Sequence, residues 1–243
     1  MKELKLSALK ISDCIVAILA GGLATRLKPI TEKIPKSLLE VAGRPFIDHQ
    51  IELLKSNGIK KMVLCTSYLE EKIKASLGTG NKFGVDIFYS SDGEKLLGTG
   101  GAIKKSLPLL SDPFFVLYGD SYLNTDYEKI LNIFHSSGKQ GLMALYKNKN
   151  QWDTSNVWFE SGSIQAYDKK SHLPQMEYID YGLSMFSKKA FECHQNKFDL
   201  YEVFSYLLKN NQLAGYEVSE RFYEIGSPQG LLELETKLGA KKS

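Results

Sequence analysis

Leu19–Lys36, LAGGLATRLKPITEKIPK, is the stretch from which the rest of this 243-residue chain can be read. Before it runs the short apolar segment Cys14–Leu19 (CIVAIL), which reads as a strand buried on both faces of a parallel sheet. The strand gives way to Ala20, Gly21 and Gly22. A glycine pair at the carboxyl end of a strand lets the backbone turn sharply and approach a ligand closely. Successive N–H groups in such a turn can cradle phosphate. Arg26 adds a planar fork suited to phosphate oxygens, and Pro35 stiffens the chain just before Lys36. The dinucleotide pattern G-x-G-x-x-G is absent, and no Gly-Lys-Ser/Thr follows at Walker A spacing.

Working outward, strands are expected at 61–66 (KMVLCT), 85–89 (VDIFY) and 114–118 (FFVLY). Helices are expected at 46–57, 69–77, 99–107 and 125–136, the last capped by Thr125. Residues 37–41 read as extended. This alternation implies a mostly parallel, Rossmann-like α/β sheet flanked by helices, with ligands beyond the carboxyl ends of the strands. After Gly141 the pattern changes. Residues 141–146, 156–160, 163–167 and 179–186 are strand-like with short connections, and Ser161-Gly162-Ser163 suggests a hairpin. This portion is expected to be antiparallel. Helices at 200–210 and 228–238 bracket extended segments at 213–218 and 222–225. The reading is a single domain over 1–243, with a first half at 14–140 and a second at 141–238.

Composition narrows the partners. Hydrophobic residues are 43% and charged residues 24%, as in ordinary globular enzymes, and the net charge of +3 is too small for a nucleic-acid footprint. Cys14, Cys65 and Cys193 are far apart, so neither a zinc site nor a disulfide framework is suggested. No apolar run is long enough to span a membrane, and residues 1–13 do not form a secretory signal. The expected compartment is the cytoplasm. The histidines show no ligand spacing. Oligomeric state stays open, a homo-oligomer included.

LAGG-x-x-TRL, then Pro35-Lys36, then Val41–Ile51 (VAGRPFIDHQI) resembles the opening of the sugar-1-phosphate nucleotidyltransferases. That family joins a nucleoside triphosphate to a sugar 1-phosphate and releases pyrophosphate. The chain departs from its pattern at Ala24, where the family has glycine. The resemblance implies that Ala20, Gly21, Gly22, Thr25 and Arg26 cradle the triphosphate and that Lys36 neutralises charge around the α-phosphate. Asp120, at the end of FFVLYGD, matches the family's Mg²⁺ aspartate. Tyr223–Pro228 (YEIGSP) resembles the segment that carries the second metal acid, here Glu224. Glu224 either shares the ion or is a structural acid paired with Arg221 or Arg26.

Leu97–Ala102 (LGTGGA) is similar to the loop that lies beside the nucleobase, which puts Gly98, Thr99, Gly100 and Gly101 at the base. It most resembles heptose- and mannose-1-phosphate guanylyltransferases, and less closely an N-acetylmuramate-1-phosphate uridylyltransferase. For the sugar phosphate the resemblance implies Asn156, Asp168, Lys169, Asp180 and Gly182. Lys170 stands where the family has proline, so either Lys169 or Lys170 is the phosphate lysine. The function expected is Mg²⁺-dependent transfer of a nucleoside monophosphate to a sugar 1-phosphate, serving surface polysaccharide, with guanylyl favoured. A uridylyl, thymidylyl or cytidylyl enzyme and a non-catalytic nucleotide or sugar-phosphate sensor are the alternatives.

Overall fold

The computed structural model describes residues 9–22 and 30–239. In chain order its first half contains β1 (Ile15–Leu19), β2 (Glu40–Val41), β3 (Arg44–Pro45), α1 (Phe46–Ser56), β4 (Lys61–Thr66), α2 (Glu70–Leu77), β5 (Asp86–Ser91), α3 (Gly98–Ser106), β6 (Phe114–Tyr118), β7 (Ser121–Tyr122) and α4 (Tyr127–Ser137). The second half contains β8 (Gly141–Lys147), β9 (Val157–Glu160), β10 (Ser163–Tyr167), β11 (Tyr178–Phe186), α5 (Leu200–Lys209), β12 (Leu213–Val218), β13 (Tyr223–Glu224) and α6 (Pro228–Gly239).

β1 pairs in parallel with β4 on one side and β6 on the other, and β5 continues parallel beyond β4. The chain thus builds β1, β4 and β5 in one direction, then returns to lay β6 against the opposite edge of β1. Open α/β sheets hold ligands in the crevice at such a reversal, beyond the carboxyl ends of the two strands. Here those ends are Ala20-Gly21-Gly22 and Gly119-Asp120. β1 can occupy the centre because it is apolar on both faces. Val16 and Ile18 pack toward α1, α2 and α4, while Ala17 packs toward α3 and α5. Phe115 on β6 is fully buried edge-on against Tyr127 of α4. Phe115→Ala would cost about 3–5 kcal/mol. Cys14 and Cys65 are buried in this core, and burial pushes each thiol up to about 12.

The second half extends the same sheet. β11 runs antiparallel to β6 and β8 antiparallel to β11, while β9 and β10 form a hairpin with positive φ at Ser161 and Gly162. The expected antiparallel portion over residues 141–186 is present in these pairings. β12, read from the sequence only as extended, pairs in parallel with β8, the intervening strands and α5 giving the chain room to come back in the same direction. Two local readings are corrected. Asp126, not Thr125, caps α4, its carboxylate accepting from Lys129 N–H at 2.8 Å. Residues 36–38 form a 3₁₀ turn, so the extended piece after Pro35 shrinks to Glu40–Val41.

β7 and β13 form a separate two-stranded ribbon, and α6 packs with Val41, Phe46, Tyr122 and Ile225 in a third apolar cluster. This ribbon returns the C-terminal segment to the end of β6. Among the described residues, no helix is long and apolar enough to cross a membrane.

Candidate active site

The crevice beyond β1 and β6 is a cavity of about 430 Å³. Its floor depends on Gly119. The Gly119 N–H donates to Leu19 O at 3.1 Å, and a Cβ at 119 would run into that same carbonyl. Only glycine lets the two strand ends close this tightly. Ser67 donates its hydroxyl to Gly21 O at 2.6 Å, which fixes the first glycine of the turn. Gly22 faces open space, with nothing within 4 Å of where a Cβ would stand. Ala20, Gly21 and Gly22 line the crevice as expected from their place after β1. Thr25 and Arg26 lie outside the described residues.

The charged corner of the crevice joins three segments. Pro35 holds an extended backbone and hands the chain to the turn that begins at Lys36. Lys36 Nζ donates to Asp120 Oδ2 at 2.6 Å, and both residues line the cavity. Glu224 arrives from the other end of the chain. β13 pairs Glu224 with Ser121, the neighbour of Asp120, and Ile225 N–H donates to Asp120 O at 2.9 Å. Asp120, in the turn just before β7, and Glu224, on β13, are therefore neighbours in space though far apart in the chain.

The longer side chain of Glu224 folds back onto its own turn. Its Oε2 accepts from Gly226 N–H, and its Oε1 accepts from the Ser227 hydroxyl at 2.9 Å. Glycines make the room. A Cβ on Gly226 would strike Glu224 Oε2 and lie 3.0 Å from Lys36 Nζ, and a Cβ on Gly230 would come within 2.6 Å of Glu224 Oε1. Lys36, Asp120 and Glu224 thus share one corner. Arg221 does not pair with Glu224. It bonds Glu233 at 2.6 Å and stacks between Trp152 and Tyr223.

The glycine loop divides in two. Gly98 and Thr99 line the crevice. Gly100 and Gly101 are buried, and each meets the 196–198 segment rather than the cavity. A Cβ at Gly100 would strike the Phe198 ring, and one at Gly101 would strike Asn196 O. The Gly100 and Gly101 N–H groups both donate to Phe198 O, at 3.1 and 3.2 Å. The close approach that these two glycines permit is to the protein's own 196–198 segment. Asp92, which the sequence did not single out, faces the same part of the crevice, and its carboxylate accepts from Leu97 N–H at 3.1 Å. Burial raises its carboxyl above the ordinary range, against the pull of that hydrogen bond and of Lys105.

On the second half, Asp180 lies in a β11 bulge beside Gly182, whose φ of +85° allows the kink. Its Oδ1 accepts from Gly182 N–H at 3.0 Å and its Oδ2 from the Tyr167 hydroxyl at 3.1 Å. Burial raises its carboxyl above the ordinary range, and the Lys169 ammonium pulls the other way. Lys169 Nζ stands 5.7 Å from the centre of the Tyr118 ring, and Tyr118 itself lines the crevice. Asn156 is a strand tie, its Oδ1 accepting from Asp180 N–H at 3.0 Å. Asp168 is not brought to the crevice. Its Oδ1 accepts from the N–H groups of Lys170 and Ser171, and these bonds hold its carboxyl below the usual range. Of the two candidate lysines, Lys169 is the one beside Asp180, and Lys170 lends its backbone N–H to Asp168.

Fold and site together define a Rossmann-like α/β protein with a glycine turn and a lysine–carboxylate corner facing one crevice. Residues 15–241 match the model of the nucleotidyl transferase family, and the chain belongs to that family. It is 32% identical to a D-glycero-α-D-manno-heptose 1-phosphate guanylyltransferase from Campylobacter jejuni over 87% of this chain and 94% of that one. It is 30% identical to the mannose-1-phosphate guanylyltransferase catalytic subunit beta of Xenopus tropicalis over 88% of this chain, and spans 62% of that relative's length. The crystal structure of HddC from Yersinia pseudotuberculosis complexed with GMP-PN superposes with a TM-score of 0.77 at 26% identity, covering 93% of this chain and 99% of that one.

Proposed function

We propose that the protein transfers a nucleoside monophosphate from a nucleoside triphosphate to a sugar 1-phosphate, with release of pyrophosphate. The observation that carries the reading is the corner made by Lys36, Asp120 and Glu224 at the mouth of the glycine turn. All the reactants are anions, so this chemistry needs cations and backbone donors in fixed positions more than a covalent nucleophile. The turn at Ala20, Gly21 and Gly22, continued by Thr25 and Arg26, would hold the triphosphate. Lys36 would neutralise charge that grows at the α-phosphate. Gly98 and Thr99 would flank the base, with Gly100 and Gly101 fixing that loop on Phe198. Asp180 and Gly182 would meet sugar hydroxyls, tied in place by Asn156. Lys169 would bind the sugar phosphate, presented by the turn that Asp168 holds.

Asp120, in the turn after β6, and Glu224, on β13, offer hard carboxylate oxygens at one corner, and such a pair would suit Mg²⁺ completed by phosphate oxygens and water. Once bound, the ion would supply neutralisation of the phosphates. The guanylyltransferases among its relatives support GTP as the donor. Use of a nucleoside triphosphate is in keeping with the cytoplasm, and the activated sugar with surface polysaccharide synthesis. Pyrophosphate release with GTP, UTP, CTP and dTTP, each against a panel of sugar 1-phosphates, tests the reading. Release with highest kcat/KM for GTP is expected. Nucleotide binding with no turnover for any pair would make the protein a sensor on this fold.

A further inference from the structure

α1 carries a buried amide aimed at the backbone of the charged corner. Gln50 is 1% exposed. Its Nε2 donates to Ser121 O at 2.6 Å and to Tyr118 O at 3.1 Å. Those two carbonyls bracket Gly119-Asp120. Two acceptors can be served only by the amide nitrogen, so the orientation of the side chain is fixed by its neighbours. The same loop is held at Gly119 by Leu19 O and at Asp120 by Ile225 N–H. Of these three ties, Gln50 is the one made by a side chain. Its Oε1, in contrast, is buried with no partner among the described residues.

A buried amide with one end doubly bonded and the other end orphaned is a poor device for stability, since the unpaired acceptor carries a desolvation cost. The bonds it does make converge on the peptide groups flanking Asp120. We infer that Gln50 is a positioning residue, which sets the Asp120 loop from α1 and so fixes the carboxylate against Lys36. This rests on the role of Asp120 given under Proposed function.

The test is Gln50→Met, a side chain of equal length with no polar atoms, which also removes the orphaned acceptor. Amide exchange across residues 118–122 is expected to quicken by about tenfold, the factor that one or two hydrogen bonds supply. Exchange in α1 and in β4 should be unchanged. The half-saturating Mg²⁺ concentration should rise. kcat per folded molecule should fall roughly tenfold or more, the scale of a small misplacement of reacting groups. KM for the nucleotide should stay within about twofold, because the glycine turn is untouched. Gln50→Asn, which keeps the amide and withdraws it by one methylene, gives the same reading if the methionine variant does not fold. Unchanged exchange at 118–122 with unchanged kcat would overturn the inference. A uniform rise in exchange with kcat per folded molecule preserved would overturn it too, leaving Gln50 a packing residue. If the wild-type protein turns over no substrate pair, the reading of the reaction fails, and exchange at 118–122 still decides whether Gln50 holds the loop.

Discussion

Lys36 Nζ stands 2.6 Å from Asp120 Oδ2, closing a contact between residues 84 positions apart. The lysine side chain is 17% exposed and the aspartate 37%. An ion pair this open to water adds little to stability, so its significance lies in placement. The pair fixes an ammonium at the point where the glycine turn, the end of β6 and the returning β13 meet. Lys36→Ala should therefore leave the melting temperature nearly unchanged. It should lower kcat by roughly a hundredfold or more, the scale of removing one preorganised electrostatic contact. Near-normal turnover at saturating substrate would remove Lys36 from the chemistry.

Asp120 and Glu224 should act on one ion. Asp120→Asn and Glu224→Gln are each expected to raise the Mg²⁺ concentration needed for half-maximal rate. The double variant should lose less than the product of the single effects, as groups that share a partner do. Titrating Mg²⁺ against rate for the three variants checks this. Normal metal dependence in Glu224→Gln would reduce Glu224 to an acid that shapes the turn before α6.

How much of this was legible in the sequence differs from residue to residue. The centre of the sheet could be read from Cys14–Leu19 because a strand covered on both faces leaves a continuous apolar run. Lys36 and Asp120 were legible through their neighbours, a proline and a strand end. Glu224 was legible as a motif residue, but not its posture, which depends on space left by Gly226 and Gly230 on either side of its carboxylate. Gly100 and Gly101 looked like ligand-facing glycines because their partner, Phe198, is nearly a hundred residues away in sequence. Gln50 lay inside the Val41–Ile51 stretch that carries the resemblance, but as a polar residue in an amphipathic helix it gave no sign of its partners, and Asp92 was an acid in an ordinary turn.

The glycine loop makes a separable prediction. In Gly101→Ala the new Cβ meets the backbone carbonyl of Asn196, which has no side-chain freedom to retreat. Overpacking of this kind costs about 1–3 kcal/mol. A lowered melting temperature with KM for the nucleotide unchanged is expected. A large rise in KM at unchanged stability would restore Gly101 to the base site.

Asp180 gives the sign of one pH effect. Its folded carboxyl is raised above the ordinary value of about 3.9 by burial. The fold therefore favours the protonated form. That contribution is present below about pH 3.9 and is lost as pH rises through the raised folded value. Asparagine keeps an acceptor for Gly182 N–H and removes the buried charge. The difference in melting temperature, Asp180→Asn minus wild type, should become more positive as pH rises from about 4 toward neutrality. Thermal melts over that range check it, and a gap that narrows with pH would show that Asp180 is better stabilised as a carboxylate.

The most direct test of the central claim is product identification by mass spectrometry, with pyrophosphate assayed in parallel. GTP, Mg²⁺ and a mannose or manno-heptose 1-phosphate would be incubated with the wild-type protein and with Lys36→Ala and Asp120→Asn. The account predicts a nucleoside diphosphate sugar and pyrophosphate in equal amounts from the wild type, and at least a hundredfold less from either variant. Equal product from wild type and variants would contradict the placement of the reaction at this corner. Intact GTP and intact sugar 1-phosphate after prolonged incubation, repeated for every nucleotide and sugar tried, would contradict the reaction itself.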